Sequence, residues 1–210
     1  MSADPILLLG AGGHARACID VIEQEGRFRV SGLIGLPDQL GMRVLGYPIV
    51  GTEADLPMLL NEQHHALIAV GQLTTPEHRI RLFELAQVLS YTLPVIVSPH
   101  AHVSRHASVA AGTIVMHGAV VNAGATVGHN CILNSLSLVE HDAVIADHCH
   151  ISTAAAINGG VQVAAGTFIG SHACVRQGTR IGERCVIGMG QRVLADCAPG
   201  TQLPDRDARS

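Results

Sequence analysis

From Val103 to Val193 every sixth residue is Val, Ile or Leu, sixteen positions in succession without an exception. Ordinary strand alternation also spaces aliphatic residues evenly, but it would put further large apolar side chains two residues after each one. That column reads instead Arg105, Ala111, His117, Ala123, His129, Ser135, His141 and Asp147, so the period is six. The fifth position of each hexad is Ala, Ser, Thr or Cys in fourteen of sixteen cases, Val161 and Gln191 being the exceptions. A chain that turns a corner every six residues stacks its β-branched side chains in layers inside. The small residue then fills the tight space beside each corner, and glycines such as Gly128, Gly170, Gly182 and Gly188 are expected to ease the turns. Cys131, Cys149, Cys185 and Cys197 fall in this small column, where they read as substitutes for Ala or Ser.

Residues 1–95 follow a different pattern. Ile6–Leu9 predicts a buried strand, Arg16–Gln24 a helix, Phe28–Leu33 a second strand, His65–Val70 a third and Glu77–Leu89 another helix. Between the first strand and helix stands Gly10-Ala11-Gly12-Gly13-His14-Ala15, a glycine turn in the strand–turn–helix setting where backbone N–H groups can approach a pyrophosphate. A dinucleotide such as NAD fits that turn in principle. Against it, the unit is only half the usual size, and the second strand ends in Ile34-Gly35-Leu36 where dinucleotide enzymes place an acidic residue. Asp38 lies just beyond. A glycine turn that binds nothing is the plainer alternative, and His14 weighs against it as a side chain able to reach a phosphate or sugar.

Composition narrows the classes. Apolar residues make up 48% and charged ones 14%, which excludes a disordered chain. Aromatic residues are 2%, which suits layered aliphatic strands better than a sandwich core. A net charge of −4 gives no basic footprint for nucleic acid. The six cysteines form no C-x-x-C pair, and no apolar run is long enough to span a membrane. The N-terminal run Ile6–Leu9 is too short for an export signal, so a cytoplasmic location with reduced thiols is expected.

The small βαβ unit with Gly10, Gly12, Gly13 and His14, followed by the hexads, resembles the bacterial sugar acetyltransferases of the hexapeptide-repeat superfamily. These include the sialic acid O-acetyltransferases and the N-acetyltransferases of nucleotide-linked 4-amino-4,6-dideoxy sugars. The most specific stretch is Asn134-Ser135-Leu136-Ser137-Leu138-Val139-Glu140-His141-Asp142, followed by His150, which is similar to the family's N-x-x-x-x-x-E-H-[DE] segment and second histidine. The resemblance implies a Rossmann-like α/β unit over residues 1–95, a left-handed parallel β-helix over 96–198 and a tail over 199–210. Three hexads would make one triangular coil, about five coils in all. His117, His129 and His141, twelve residues apart, then fall on different sides of the prism, which argues against a zinc site, and no metal is expected.

Carried over by position, His141 matches the general base and Asp142 the carboxylate beside it. Asn134 and Glu140 match polar residues of the same pocket, and His150 a histidine near the acetyl thioester. Gly159 matches a glycine whose N–H faces the acetyl carbonyl, while Gly170, Ser171 and Gly188 lie where the family meets the pantetheine arm of coenzyme A. Gly10, Gly12, Gly13, His14 and, by displacement, Asp38 match the nucleotide-sugar loop. The chain departs from the family at Asp38 and at its end, Pro199-Gly200-Thr201-Gln202-Leu203-Pro204, which lacks the usual Gly-x-Pro-Ala.

The function implied is acetyl-CoA-dependent N-acetylation of a nucleotide-linked amino sugar for surface glycan synthesis, in a homotrimer whose sites lie between subunits. The chemistry suits these residues: histidine deprotonates a nucleophile near neutral pH, a carboxylate fixes its tautomer, and a backbone N–H steadies the oxyanion. Asp142 and Glu140 both qualify as that carboxylate. O-acetylation of a sialic-acid-type or other sugar hydroxyl uses the same base and is the alternative. A non-catalytic nucleotide-sugar scaffold is the rival outside enzymology, and the Glu140-His141-Asp142 cluster argues against it.

Overall fold

A computed structural model describes residues 3–60 and 63–205. The chain opens with β1 (Asp4–Leu9), whose residues Ile6–Leu9 are wholly buried, and α1 (Gly13–Glu25). Gly26 ends α1 in the left-handed region, φ +75°, returning its N–H to Ile22 O. Then come β2 (Phe28–Ile34), β3 (Arg43–Val44), β4 (Tyr47–Gly51), the short α2 (Leu56–Leu59), β5 (His65–Ile68) and α3 (Glu77–Val88). The sheet order is β3-β4-β2-β1-β5, parallel except for the β3–β4 pair. The predicted strands and helices are all present. The hairpin β3–β4, α2 and two 3-10 turns (Pro37–Gln39 and Glu53–Asp55) were not foreseen, being too short to show a period.

From Ile96 onward the chain forms a left-handed parallel β-helix with three faces of seven, six and five two-residue strands. Register fixes the coil at eighteen residues: Val121, Val139, Ile157, Val175 and Val193 stack one above the next on the second face. These inward aliphatics and the small fifth-position residues Ala119, Ala125, Cys131, Ala143, Cys149, Ala155, Ala173 and Cys185 form one buried core.

The corners turn differently from the sequence expectation. Gly128, Gly170, Gly182 and Gly188 are not in the left-handed region. They are glycine because a Cβ would strike the next coil's backbone, at Gly170 only 2.7 Å from the Gly188 carbonyl carbon. The left-handed residue sits two positions later in every hexad from Gly112 to Gly190, and includes Asn130, Leu136, Asp142, His148, Ala154, His172 and Arg184.

The column also outruns its expected boundary at 198. Cys197 bridges Ile181 and Gln202–Leu203 pairs with Val186–Ile187, a spacing of sixteen residues in place of eighteen. Two residues drop out of the last corner, so Cys197 and Leu203 occupy inward aliphatic positions and a strict six-residue count loses them.

The outward column of the first face joins the two parts. Ile96, Ile114 and Ile132 are buried against α1 in one cluster with Ile19 and Ile22. No helix among the described residues is long and apolar enough to cross a membrane.

Candidate active site

Three groups of residues are candidates for the chemistry. The first lies on the exposed edge between the second and third faces. His141 Nδ1 stands 2.9 Å from Asp142 Oδ2, so Nδ1–H donates to the carboxylate and Nε2 is left as the proton acceptor. That hydrogen bond raises the imidazole pKa above its ordinary 6.5. The ring rests on Gly159, where a Cβ would come within 2.6 Å of His141 Nε2, and Asp142 rests likewise on Gly124. Asp142 takes φ +59°, a conformation that short polar side chains tolerate. Glu140 faces another way: its Oε2 accepts Asn122 Nδ2–H at 3.0 Å and the His141 backbone N–H at 3.1 Å. Of the two carboxylates, Asp142 therefore orients the imidazole, while Glu140 fixes the corner. The Gly159 N–H has no acceptor among the described residues.

The second group lies on the first face and its edge with the second. His150 is buried, with Nδ1–H donating to Gln72 O at 2.7 Å and Nε2 accepting from Asn134 Nδ2 at 3.3 Å. Burial lowers its pKa to about 4, so it stands neutral. Below it a cleft of about 520 Å³ is lined by Leu73, Phe168, Gly170, Ser171, Val186 and Gly188 among others. Ser171 Oγ lies 3.0 Å from Ser152 Oγ. Gln72 and Leu73, which close this region from the N-terminal unit, went unrecognised because nothing local in the sequence ties them to a strand 78 residues away.

The third group is the glycine turn. Gly10 is required by the backbone, with φ +127° and Val70 Cγ2 within 2.7 Å of where a Cβ would stand. Gly12 and Gly13 have no neighbour within 4 Å of that position, so the fold leaves open space before the N-terminus of α1. A turn serving packing alone would not need these two glycines. The adjoining pocket of about 230 Å³ is lined by Gly10, Gly12, Leu36, Gln39, Glu53 and His78 among others. Asp38 is exposed outside it, and the acidic residue that does reach it is Glu53, held by Arg81 NH2 at 2.8 Å. Glu53 escapes a search confined to the end of β2 because it arrives from the second 3-10 turn.

His14 points from this turn toward the second group. Its ring centroid lies 6.5 Å from that of His150, and its buried Nε2 has no hydrogen-bond partner among the described residues. Burial lowers its pKa to about 3. Within one chain the second and third groups thus meet, and the first does not join them: Ser135 and His141 occupy successive corners, with the second face between them. Asn134 belongs with His150, not with His141. His117, His129 and His141 stand on three different edges, and no cluster of three or more His, Cys, Asp or Glu among the described residues is placed to hold a metal ion.

Comparison with known proteins adds the following. The sequence profile of the PglD N-terminal domain matches residues 5–84. A search of curated proteins finds no match. The acetyltransferase domain of PglB from Neisseria gonorrhoeae FA1090, solved with acetyl coenzyme A, is 30% identical with a TM-score of 0.88, covering 96% of each chain. PerB from Caulobacter crescentus, solved with CoA and GDP-perosamine, is 30% identical over 95% of this chain and 93% of its own, with a TM-score of 0.88. WeeI from Acinetobacter baumannii AYE, at 20% identity and a TM-score of 0.83, shares the fold.

Proposed function

Because the chain belongs to the family of sugar acetyltransferases built on a hexapeptide-repeat β-helix, we propose that it acetylates the amino group of a nucleotide-linked 4-amino-4,6-dideoxy sugar. The acetyl donor is acetyl-CoA and the general base His141. The observation that carries this reading is the His141–Asp142 pair, an exposed imidazole with its tautomer set by a carboxylate 2.9 Å away. An amine acceptor is favoured because PerB, similar over nearly its whole length, is solved with GDP-perosamine.

The neutral amine attacks the thioester carbonyl, forming the C–N bond and a tetrahedral oxyanion. His141 Nε2 takes the proton that the new nitrogen sheds. As the C–S bond breaks, the thiolate leaves and is protonated from the imidazolium, so the base is restored. The free N–H of Gly159, directly beneath the ring, is the donor suited to the oxyanion. The apolar cleft walled by Leu73, Phe168 and Val186 fits the pantetheine arm, with Gly170, Ser171 and Gly188 along its floor. His150, neutral and fixed by Gln72 and Asn134, shapes the inner end of that cleft. The diphosphate lies at the turn of Gly10, Gly12, Gly13 and His14.

A homotrimer completes the site. One chain holds His141 on a different edge from His150 and the cleft, so a neighbouring subunit must bring the base to the thioester. Light scattering that finds an active monomer contradicts this assembly.

The deciding experiment follows thiol release from acetyl-CoA in the presence of UDP-, GDP- or dTDP-linked 4-amino sugars. Release should depend on one of these amines, and His141→Ala should lower turnover about 10²-fold or more. Release with a 4-hydroxy sugar but none with any amine would reassign the acceptor to a hydroxyl.

A further inference from the structure

Arg79 of α3 is a cation buried to 1% exposure at the junction between the two parts of the molecule. Its guanidinium donates to Ile68 O at 3.3 Å, to Val70 O, and to Asn130 O and Oδ1 at 2.9 and 2.8 Å. Nε–H has no hydrogen-bond partner among the described residues. Every acceptor is neutral, and none of the ion pairs among the described residues involves Arg79. No carboxylate among the described residues is paired with it. His14 and His150 are neutral, and burial pushes the Cys18 thiol up to about 12. Against burial, hydrogen bonding with Cys149 and the Arg79 charge lower the pKa of the Cys131 thiol, which donates to Ala146 O at 3.2 Å. Burial lowers the Arg79 pKa only to about 10, so the guanidinium stays charged at neutral pH.

A buried charge without a counter-ion is unfavourable even when carbonyl oxygens accept its hydrogen bonds, and an anion arriving from outside the chain would offset that cost. Its position names the compensation. Val70, whose carbonyl Arg79 holds, lies directly beneath Gly10 and lines the pocket at the glycine turn. The unblocked N-terminus of α1, with no acidic residue in its first turn, adds positive potential at the same place.

We propose that the counter-ion of Arg79 is the diphosphate of the bound nucleotide sugar, so that part of the affinity for substrate resides in a residue that never touches it. This rests on the turn at Gly10–His14 being the nucleotide-sugar subsite, as argued above. In the low dielectric of the junction the guanidinium acts through space on the anion, and the same field helps keep His14 and His150 unprotonated.

Calorimetric titration with UDP, GDP and dTDP, each beside its nucleoside, tests this, with acetyl-CoA as control. Arg79→Met, which removes the charge at similar length, should cut the affinity gained from nucleoside to nucleoside diphosphate by about tenfold or more and leave acetyl-CoA binding within about twofold. Asn130→Gly, which keeps the charge and suits φ +52° while removing the Oδ1 bond from Arg79 and the Nδ2 bonds to Arg79 O and His148 Nδ1, should preserve that gain. Unchanged diphosphate affinity in Arg79→Met, or an equal loss in Asn130→Gly, overturns the proposal in favour of a mechanical strut. If Arg79→Met does not fold, Arg79→Lys decides: a preserved gain supports the charge and a lost one refutes it. Failure of the wild type to bind any of the three diphosphates would instead bring down the subsite reading, and this inference with it.

Discussion

His141 meets Asp142 through one hydrogen bond, and each side chain lies flat on a glycine of a neighbouring coil. The raised imidazole pKa means that the protonated form persists to higher pH than in a free histidine, and under the proposed role as base that form is inactive. Asp142→Asn removes that pull, so the acid limb of the pH–rate profile should move to lower pH while turnover falls. A limb that stays in place would separate Asp142 from the titrating base. Gly159→Ala puts a methyl group 2.6 Å from the present Nε2 position and must displace the ring. It should lower turnover at least about tenfold with little change in melting temperature, and normal kinetics would show that the ring's seat is not critical. His141 was legible because Glu140, His141 and Asp142 stand together in sequence. Gly124 was not, since its tie to Asp142 spans one whole coil.

At the scale of one coil, two columns explain most residue choices. The left-handed column is glycine at half its positions from Gly112 to Gly190, and Ala154 there takes φ +54°. A Cβ in that region costs about 1–2 kcal/mol, partly offset by the flexibility glycine adds to the unfolded chain. Ala154→Gly should therefore raise stability by about 0.5–1 kcal/mol in denaturant titration, and a loss would show that the methyl group packs usefully. Along one corner the small column has a polar use. Thr113, Cys131, Cys149, Thr167 and Cys185 donate their hydroxyl or thiol hydrogens to Gly128, Ala146, Ala164, Gly182 and Ala198 carbonyls at 2.7–3.2 Å. Cysteine there is a small residue with a weak donor, in keeping with the sequence reading of it as a substitute for Ala or Ser.

For the whole molecule, the junction between the N-terminal unit and the β-helix holds the buried histidines. His14 and His150 have folded-state pKa values lowered to about 3 and about 4. Below pH 6.5 the unfolded chain binds protons that the native one refuses, so stability present above 6.5 is lost as pH falls toward 4, by up to about 1.4 kcal/mol per pH unit for each histidine. Melting temperature should drop steadily from pH 6.5 to 4.5, and a flat profile would show that neither ring is sealed. The fold also departs from the usual right-handed crossover of parallel strands. Strands of two residues are too short to accumulate the twist on which that preference rests.

The chain alone determined the hexad column, the βαβ order and the Glu140-His141-Asp142 cluster, because each is written in local spacing that only one backbone path satisfies. Tertiary structure decided what depends on stacking: that Asn134 and His150 are joined by a hydrogen bond while His141 stands on another edge, and that Glu53 rather than Asp38 lines the pocket. It also placed Arg79 behind the glycine turn without a partner charge. These pairings join residues tens of positions apart, where contact arises from the rise of one coil over the next and leaves no periodic trace along the chain.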